Sequence, residues 1–172
     1  FEVGSVFEKN LSQAAGLKEK SLKTRESLHL SWGLMGHREE THWLQDKKSA
    51  SKDLYRDFFD AKGFWEQTHE FLKQSDARWK NVELKSLWKL SDAEKSKIDS
   101  WIPLSALHPG RTALLYVPAL RSYRGFIGEL HPEITASYLN FPAGWKFPIA
   151  IAELRVFDDL WSWSSKEELS RK

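Results

Sequence analysis

Apolar and polar residues alternate at the start of the chain, where Phe1, Val3, Ser5 and Phe7 oppose Glu2, Gly4 and Val6, a period of two that predicts a strand with one buried face. Ser27 to Gly36 predicts a second strand, with Leu28, Leu30, Trp32 and Leu34 on one face and Gly33 and Gly36 where the backbone turns or meets a neighbour. From about Asp53 to Lys73 the period changes. Leu54, Phe58, Ala61, Trp65 and Leu72 recur at helical spacing, Asp53 is placed to cap the first turn, and Gly63 in the interior implies a close neighbour or a break. Asn81 to Leu90 alternates again through Val82, Leu84 and Trp88, and Ser91-Asp92-Ala93-Glu94 has capping-box spacing for a short helix. Thr112 to Val117 and Arg124 to Leu130 predict an antiparallel pair. His131-Pro132-Glu133 starts a helix, because proline suits a first turn whose amides lack partners. Phe147 to Leu154 predicts a closing strand, followed by a helix from about Phe157-Asp158-Asp159-Leu160. Strands joined by tight turns or single helices, without regular β-α-β alternation, predict an α+β fold in which helices flank an antiparallel sheet. Phe58, Trp65, Leu114 and Ile127 are expected to be buried, and the basic stretch Lys18 to Arg25 exposed.

Composition narrows the function classes. A chain of 172 residues, 41% hydrophobic, fits one domain with a sizeable core. Cysteine is absent, which excludes a disulfide framework, a thiolate metal site and a cysteine nucleophile, and is compatible with the cytoplasm. No apolar run approaches the ~20 residues that span a bilayer, so no membrane association is expected. The first residue is phenylalanine, which suggests a domain excised from a longer protein. A net charge of +2 predicts no general attraction to a polyanion, so any RNA contact is local.

Candidate chemistry is sparse. Asp57 and Asp60 form a possible carboxylate pair with His108 or His131 as base, but acids at a helix N-terminus have a structural explanation and no nucleophile adjoins them. His108-Pro109-Gly110 reads as a tight turn before a strand, and Arg111 is placed to pair with a carboxylate across it. The histidines at 29, 37, 42, 69, 108 and 131 lack metal-site spacing. Nine tryptophans offer either stacking platforms for bases or core and interface anchors. At least two of Trp43, Trp101, Trp145, Trp161 and Trp163 are expected at the surface, where a partner would cover them. A nucleic-acid-binding module and an independent acid/base enzyme are the alternatives to the reading that follows.

Three strings, Asp57-Phe58-Phe59-Asp60-Ala61-Lys62-Gly63, Leu107-His108-Pro109-Gly110-Arg111-Thr112-Ala113 and Phe126-Ile127-Gly128-Glu129-Leu130-His131-Pro132-Glu133, lie between Phe1-Glu2-Val3-Gly4 and Ala152-Glu153-Leu154. Their order and spacing resemble the β subunit of bacterial-type phenylalanyl-tRNA synthetase, over nearly the whole chain. Ser91 to Trp101 and Ala119 to Tyr123 depart from that pattern as loop insertions. The resemblance implies that residues 1–172 are a single core domain of class II synthetase type. It implies a parent enzyme of two α and two β subunits that attaches phenylalanine to tRNA with ATP and magnesium, its active site in α. Proofreading and the main anticodon-side contacts would belong to other β domains. In active relatives the second signature motif carries Phe-Arg-x-Glu, whose arginine stabilises phosphate charge; here Phe1-Glu2-Val3-Gly4 is similar to it and puts a carboxylate there. The third motif's glycines are missing from Ala150 to Arg155, and Arg155 is expected to be a surface residue, not a nucleotide ligand. No catalytic, cofactor-binding or metal residue is therefore assigned. The expected role is packing against an α subunit in the cytoplasm, with tRNA reached through the parent complex.

Overall fold

The structure is a computed structural model that describes residues 1–9, 24–38, 55–138 and 147–157. It is an α+β fold built on six strands, β1 (Glu2–Lys9), β2 (Thr24–Leu34), β3 (Glu83–Ser86), β4 (Leu107–Val117), β5 (Ser122–Leu130) and β6 (Ala150–Phe157). The helices are α1 (Phe58–Ser75), α2 (Asp92–Lys95) and α3 (Pro132–Tyr138). Strand order is β1-β2-β6-β5-β4-β3, and the pairs β1–β2, β3–β4 and β4–β5 run antiparallel. The described residues of 1–31 and 154–157 group into one compact unit and those of 32–153 into another. No helix among the described residues is long and apolar enough to cross a membrane.

In the first unit, β1 pairs with β2 from Glu2↔Ser31 to Lys9↔Thr24 without a bulge. The predicted buried face of β1 is the exposed one. Phe1, Val3 and Phe7 face solvent, while Gly4 and Val6 are half-buried. Alternation reports that two faces differ; whether the domain covers the apolar one depends on what packs there. In β2, Ser27 and His29 are buried and Leu28 and Leu30 only half-buried, while Trp32, on the leucine side, is buried.

The second unit holds the larger core. Leu114 and Ile127 are fully buried, as expected, and β5 is buried from Tyr123 to Glu129, so both its faces are covered. One face sends Phe126 and the paired Leu114 into a cluster with Leu87, Leu90, Ile102, Leu107 and Tyr123. The other, which carries Ile127 and Glu129, receives α1, whose Ala61, Trp65 and Leu72 are buried. Gly128 lies here because a Cβ would overlap the Thr112 hydroxyl, which donates to His108 O at 2.8 Å.

Helix α1 begins at Phe58, later than predicted. Asp57 is its N-cap: the carboxylate accepts from the Phe59 and Asp60 amides, and Asp60 accepts from the Asp57 amide, closing a capping box. Asp53 lies outside the described residues. Phe58, expected in the core, is half-buried at the first helical position, packed edge-on against Phe59. Gly63 marks neither a break nor a close neighbour: the helix continues to Ser75, and a Cβ there would meet nothing within 4 Å.

The capping box of Ser91 and Glu94 starts α2, and Pro132 opens α3, both as the sequence predicts. β4 begins at Leu107, so His108-Pro109-Gly110 is an irregularity inside a strand, with the register shifting between Leu107 and Thr112, and not a turn before one. A 3-10 turn at Pro118–Leu120 and a left-handed Arg121 (φ 51°) lead into β5. β6 runs to Phe157, where a helix was expected to start, and the residues after it lie outside the described ones. Lys18 to Lys23 lie outside them too.

Candidate functional site

The strands that resemble the synthetase motifs hold Glu2 and Arg155 in opposite environments. Glu2 is exposed on β1. Arg155, expected at the surface, is 2% exposed on β6, and its Nε donates to His29 Nε2 at 3.3 Å. Ser27, fully buried, places Oγ 3.0 Å from the same nitrogen. The strand continues through Arg155, and a guanidinium taken out of water is tolerated only where hydrogen-bond partners replace the solvent. Because His29 Nε2 accepts from the arginine, its lone pair is not available to take a proton from Ser27, so the pair is not an activated nucleophile. Ser27 and His29 alternate with leucines in β2, and it is this polar side that is buried.

At the start of α1 five charged side chains, Arg38, Asp57, Asp60, Arg111 and Glu129, are linked around the helix end. Arg38 reaches Asp60 Oδ2 at 2.9 Å and Asp57 Oδ1 at 3.1 Å. Partial burial opposes ionisation of Asp60, but the Asp57 amide and the Arg38 guanidinium outweigh it and hold the carboxyl below its usual range. Glu129, reaching across from β5, accepts from the Phe58 amide at 3.1 Å and from Arg111 at 3.0 and 3.1 Å. The expected pairing of Arg111 is thus present, with Glu129 as the carboxylate. Both aspartates act as helix-terminus groups, and nothing in this arrangement points a nucleophile at them.

His108 and His131, 23 positions apart in sequence, come together with ring centroids 6.2 Å apart and 29° between planes. Each Nδ1 accepts a backbone amide two residues on, Gly110 at 3.2 Å and Glu133 at 3.3 Å. The His108 ring therefore steadies the irregularity in β4, and the His131 ring the first turn of α3. Among the described residues no group of three or more His, Asp or Glu side chains is arranged to hold a metal ion.

The tryptophans divide sharply. Trp32, Trp65 and Trp79 are core. Trp101 is half-buried against the β4–β5 cluster, with Nε1 donating to Asp99 at 3.3 Å. Trp43, Trp145, Trp161 and Trp163 lie outside the described residues. Trp88, which alternation placed in a strand with Val82 and Leu84, is 73% exposed. β3 ends at Ser86 and the chain turns through a 3-10 segment at Leu87–Lys89, which buries Leu87 and turns Trp88 outward. Trp88 and Leu87 border a groove of about 440 Å³ with Leu104, Ser105, Pro109 and Lys95.

The described residues thus present an exposed tryptophan beside an apolar groove. Residues 1–156 match the family described as the phenylalanyl tRNA synthetase beta chain CLM domain. The phenylalanine–tRNA ligase beta subunit of Photorhabdus laumondii is 32% identical over 111 residues, a stretch covering 64% of this chain and 10% of that protein. The chain therefore corresponds to about a tenth of the length of this curated relative. With the match running from the first strand through nearly all of β6, the chain belongs to the CLM-domain family of phenylalanyl-tRNA synthetase β chains.

Proposed function

We propose that this chain is the catalytically silent, class II-like core of a phenylalanine–tRNA ligase β subunit, and that it serves subunit packing and assembly. The parent enzyme joins phenylalanine to tRNA with ATP and magnesium in an α2β2 assembly in the cytoplasm, its chemistry in the α subunit. The observation that carries the silent reading is the state of the two motif strands. A carboxylate at Glu2 repels the triphosphate that an arginine would attract, and the Arg155 guanidinium is buried and donates to His29. These residues do not suit a nucleotide. The packing role draws on Trp88 and its apolar groove, since an exposed tryptophan beside a concave apolar surface is the usual form of an interface anchor.

Phenylalanine-dependent exchange of pyrophosphate into ATP tests the silence. The purified chain should give no exchange above a protein-free control, and Glu2→Arg should not restore it, because the glycines of the third motif are also absent from Ala150 to Arg155. Exchange by the unmodified chain would refute the reading.

A second reading has one observation in its favour: Trp88 stands beside Lys89 and shares its groove with Lys95, a combination that also suits a stacked base and its phosphate. Loss of tRNA binding by Trp88→Ala, with assembly unchanged, would favour it.

A further inference from the structure

The lining of the Trp88 groove mixes two chemistries. Leu87 is buried, Leu104 and Pro109 are half-buried and Trp88 is exposed, while Ser105 adds a hydroxyl and Lys95 an ammonium. At about 440 Å³ the groove lies toward the small end of the roughly 300–1,000 Å³ that ligand pockets span, which suits an inserted side chain and the backbone that carries it. Lys95 is loosely held. Its salt-bridge partner, Asp92 Oδ1, is 3.5 Å away on a fully exposed side chain, and such a pair contributes little. A partner that fills the groove strips water from that ammonium, and the loss is offset only where the partner brings an anion to it. The surrounding charge favours a single carboxylate over a polyanion. Lys89 and Lys95 are cancelled by Asp92 and Glu94, so the stretch from Trp88 to Lys95 has no net charge to draw a phosphate backbone, whereas the ammonium in the lining still pairs with one acid.

We infer that the groove receives a segment of the α subunit in which a large apolar side chain lies next to a carboxylate, an inference that rests on reading Trp88 as the packing anchor. The apolar side chain packs on Trp88, Leu87, Leu104 and Pro109, where it removes the exposed tryptophan from water. The carboxylate pairs with Lys95 and accepts from Ser105, so neither polar group of the lining is left unsatisfied under the partner.

The test titrates the full-length parent β chain, carrying Lys95→Glu, Lys95→Arg, Asp92→Asn or Trp88→Ala, with the α subunit, and reads the dissociation constant at about 0.05 M and about 0.5 M salt. Lys95→Glu should weaken capture by about tenfold or more at the lower salt and by less at the higher, because it sets one carboxylate against another. Lys95→Arg should keep most of the affinity, since the charge is retained. Asp92→Asn guards against a purely local role for the Lys95–Asp92 pair: it frees the ammonium, so capture at least as tight as that of the unmodified chain supports the inference. Weakening by Asp92→Asn as large as that by Lys95→Glu overturns it. Unchanged capture by Lys95→Glu also overturns it, and if tRNA binding is lost at the same time the groove serves a base and its phosphate instead. The two readings fail separately: weak capture by Trp88→Ala with normal capture by Lys95→Glu keeps the packing anchor and removes the acidic partner, whereas normal capture by Trp88→Ala removes both.

Discussion

Removing the Arg111 side chain isolates the contribution of the Arg111–Glu129 pair to the junction of β4, β5 and α1. Glu129 is almost wholly out of water, with 7% of its side chain exposed, while Arg111 is 57% exposed and spans both carboxylate oxygens through Nη1 at 3.0 and 3.1 Å. Stripping one partner from a fully buried pair costs about 3–5 kcal/mol. Here water screens more than half of the guanidinium and the Phe58 amide still donates to Glu129, so Arg111→Ala should cost about 1–2 kcal/mol. For a chain of this size that lowers the melting temperature by a few degrees. Arg111→Lys should recover part of the loss, because an ammonium keeps the charge without the planar fork. The assay is urea denaturation of Arg111→Ala, Glu129→Ala and the double variant, read as a cycle. Glu129→Ala should cost more than Arg111→Ala, since it also orphans the first amide of α1, and the double variant should cost about 1–2 kcal/mol less than the sum. Single costs that add to within about 0.5 kcal/mol would show that the two side chains do not interact, and would refute the reasoning.

Gly63→Ala should stabilise the chain by about 1 kcal/mol, since the helix runs through this position and a Cβ meets nothing; a lower midpoint in the same urea titration would show that something occupies that space. Acid should destabilise the fold partly through Asp60 and Asp76, whose carboxyls are held below their usual 3.8 in the folded state. For a depressed pKa the stabilisation is present above the unfolded value and disappears as the pH falls through the folded one, so this part of the acid loss begins near pH 4 and grows below it. Arg38→Ala should flatten that dependence in melting curves taken from pH 5 to 2, and an unchanged slope would remove Arg38 as a cause.

Local signals with a single physical owner were legible in the sequence. The Ser91–Glu94 capping box, Pro132 at a helix start and the β4–β5 pair all follow from side-chain chemistry acting over a few residues or across adjacent strands, whereas the partner of Arg111, Glu129 on β5, was not named by the sequence. What was misread depends on packing from a distance. The period of β1 separates Phe1, Val3 and Phe7 from Glu2, Gly4 and Val6, but solvent lies on the apolar side. Trp88 falls outside the predicted strand because β3 stops after four residues and turns, an event the alternation of Val82, Leu84 and Trp88 does not record. The burial of Arg155 required His29, distant in sequence, and the stacking of His108 on His131 required the β4–β5 register. For the same reason the sequence pointed to Trp101 as a surface group and overlooked Trp88.

The assembly role is tested most directly by quantifying capture of the α subunit by the parent β chain, with and without Trp88→Ala. Truncating a central interface tryptophan costs about 2 kcal/mol or more, so the account predicts capture weakened by roughly thirtyfold or more with tRNA binding by the remaining assembled enzyme intact. Undiminished capture together with lost tRNA binding would contradict it and make Trp88 a stacking platform.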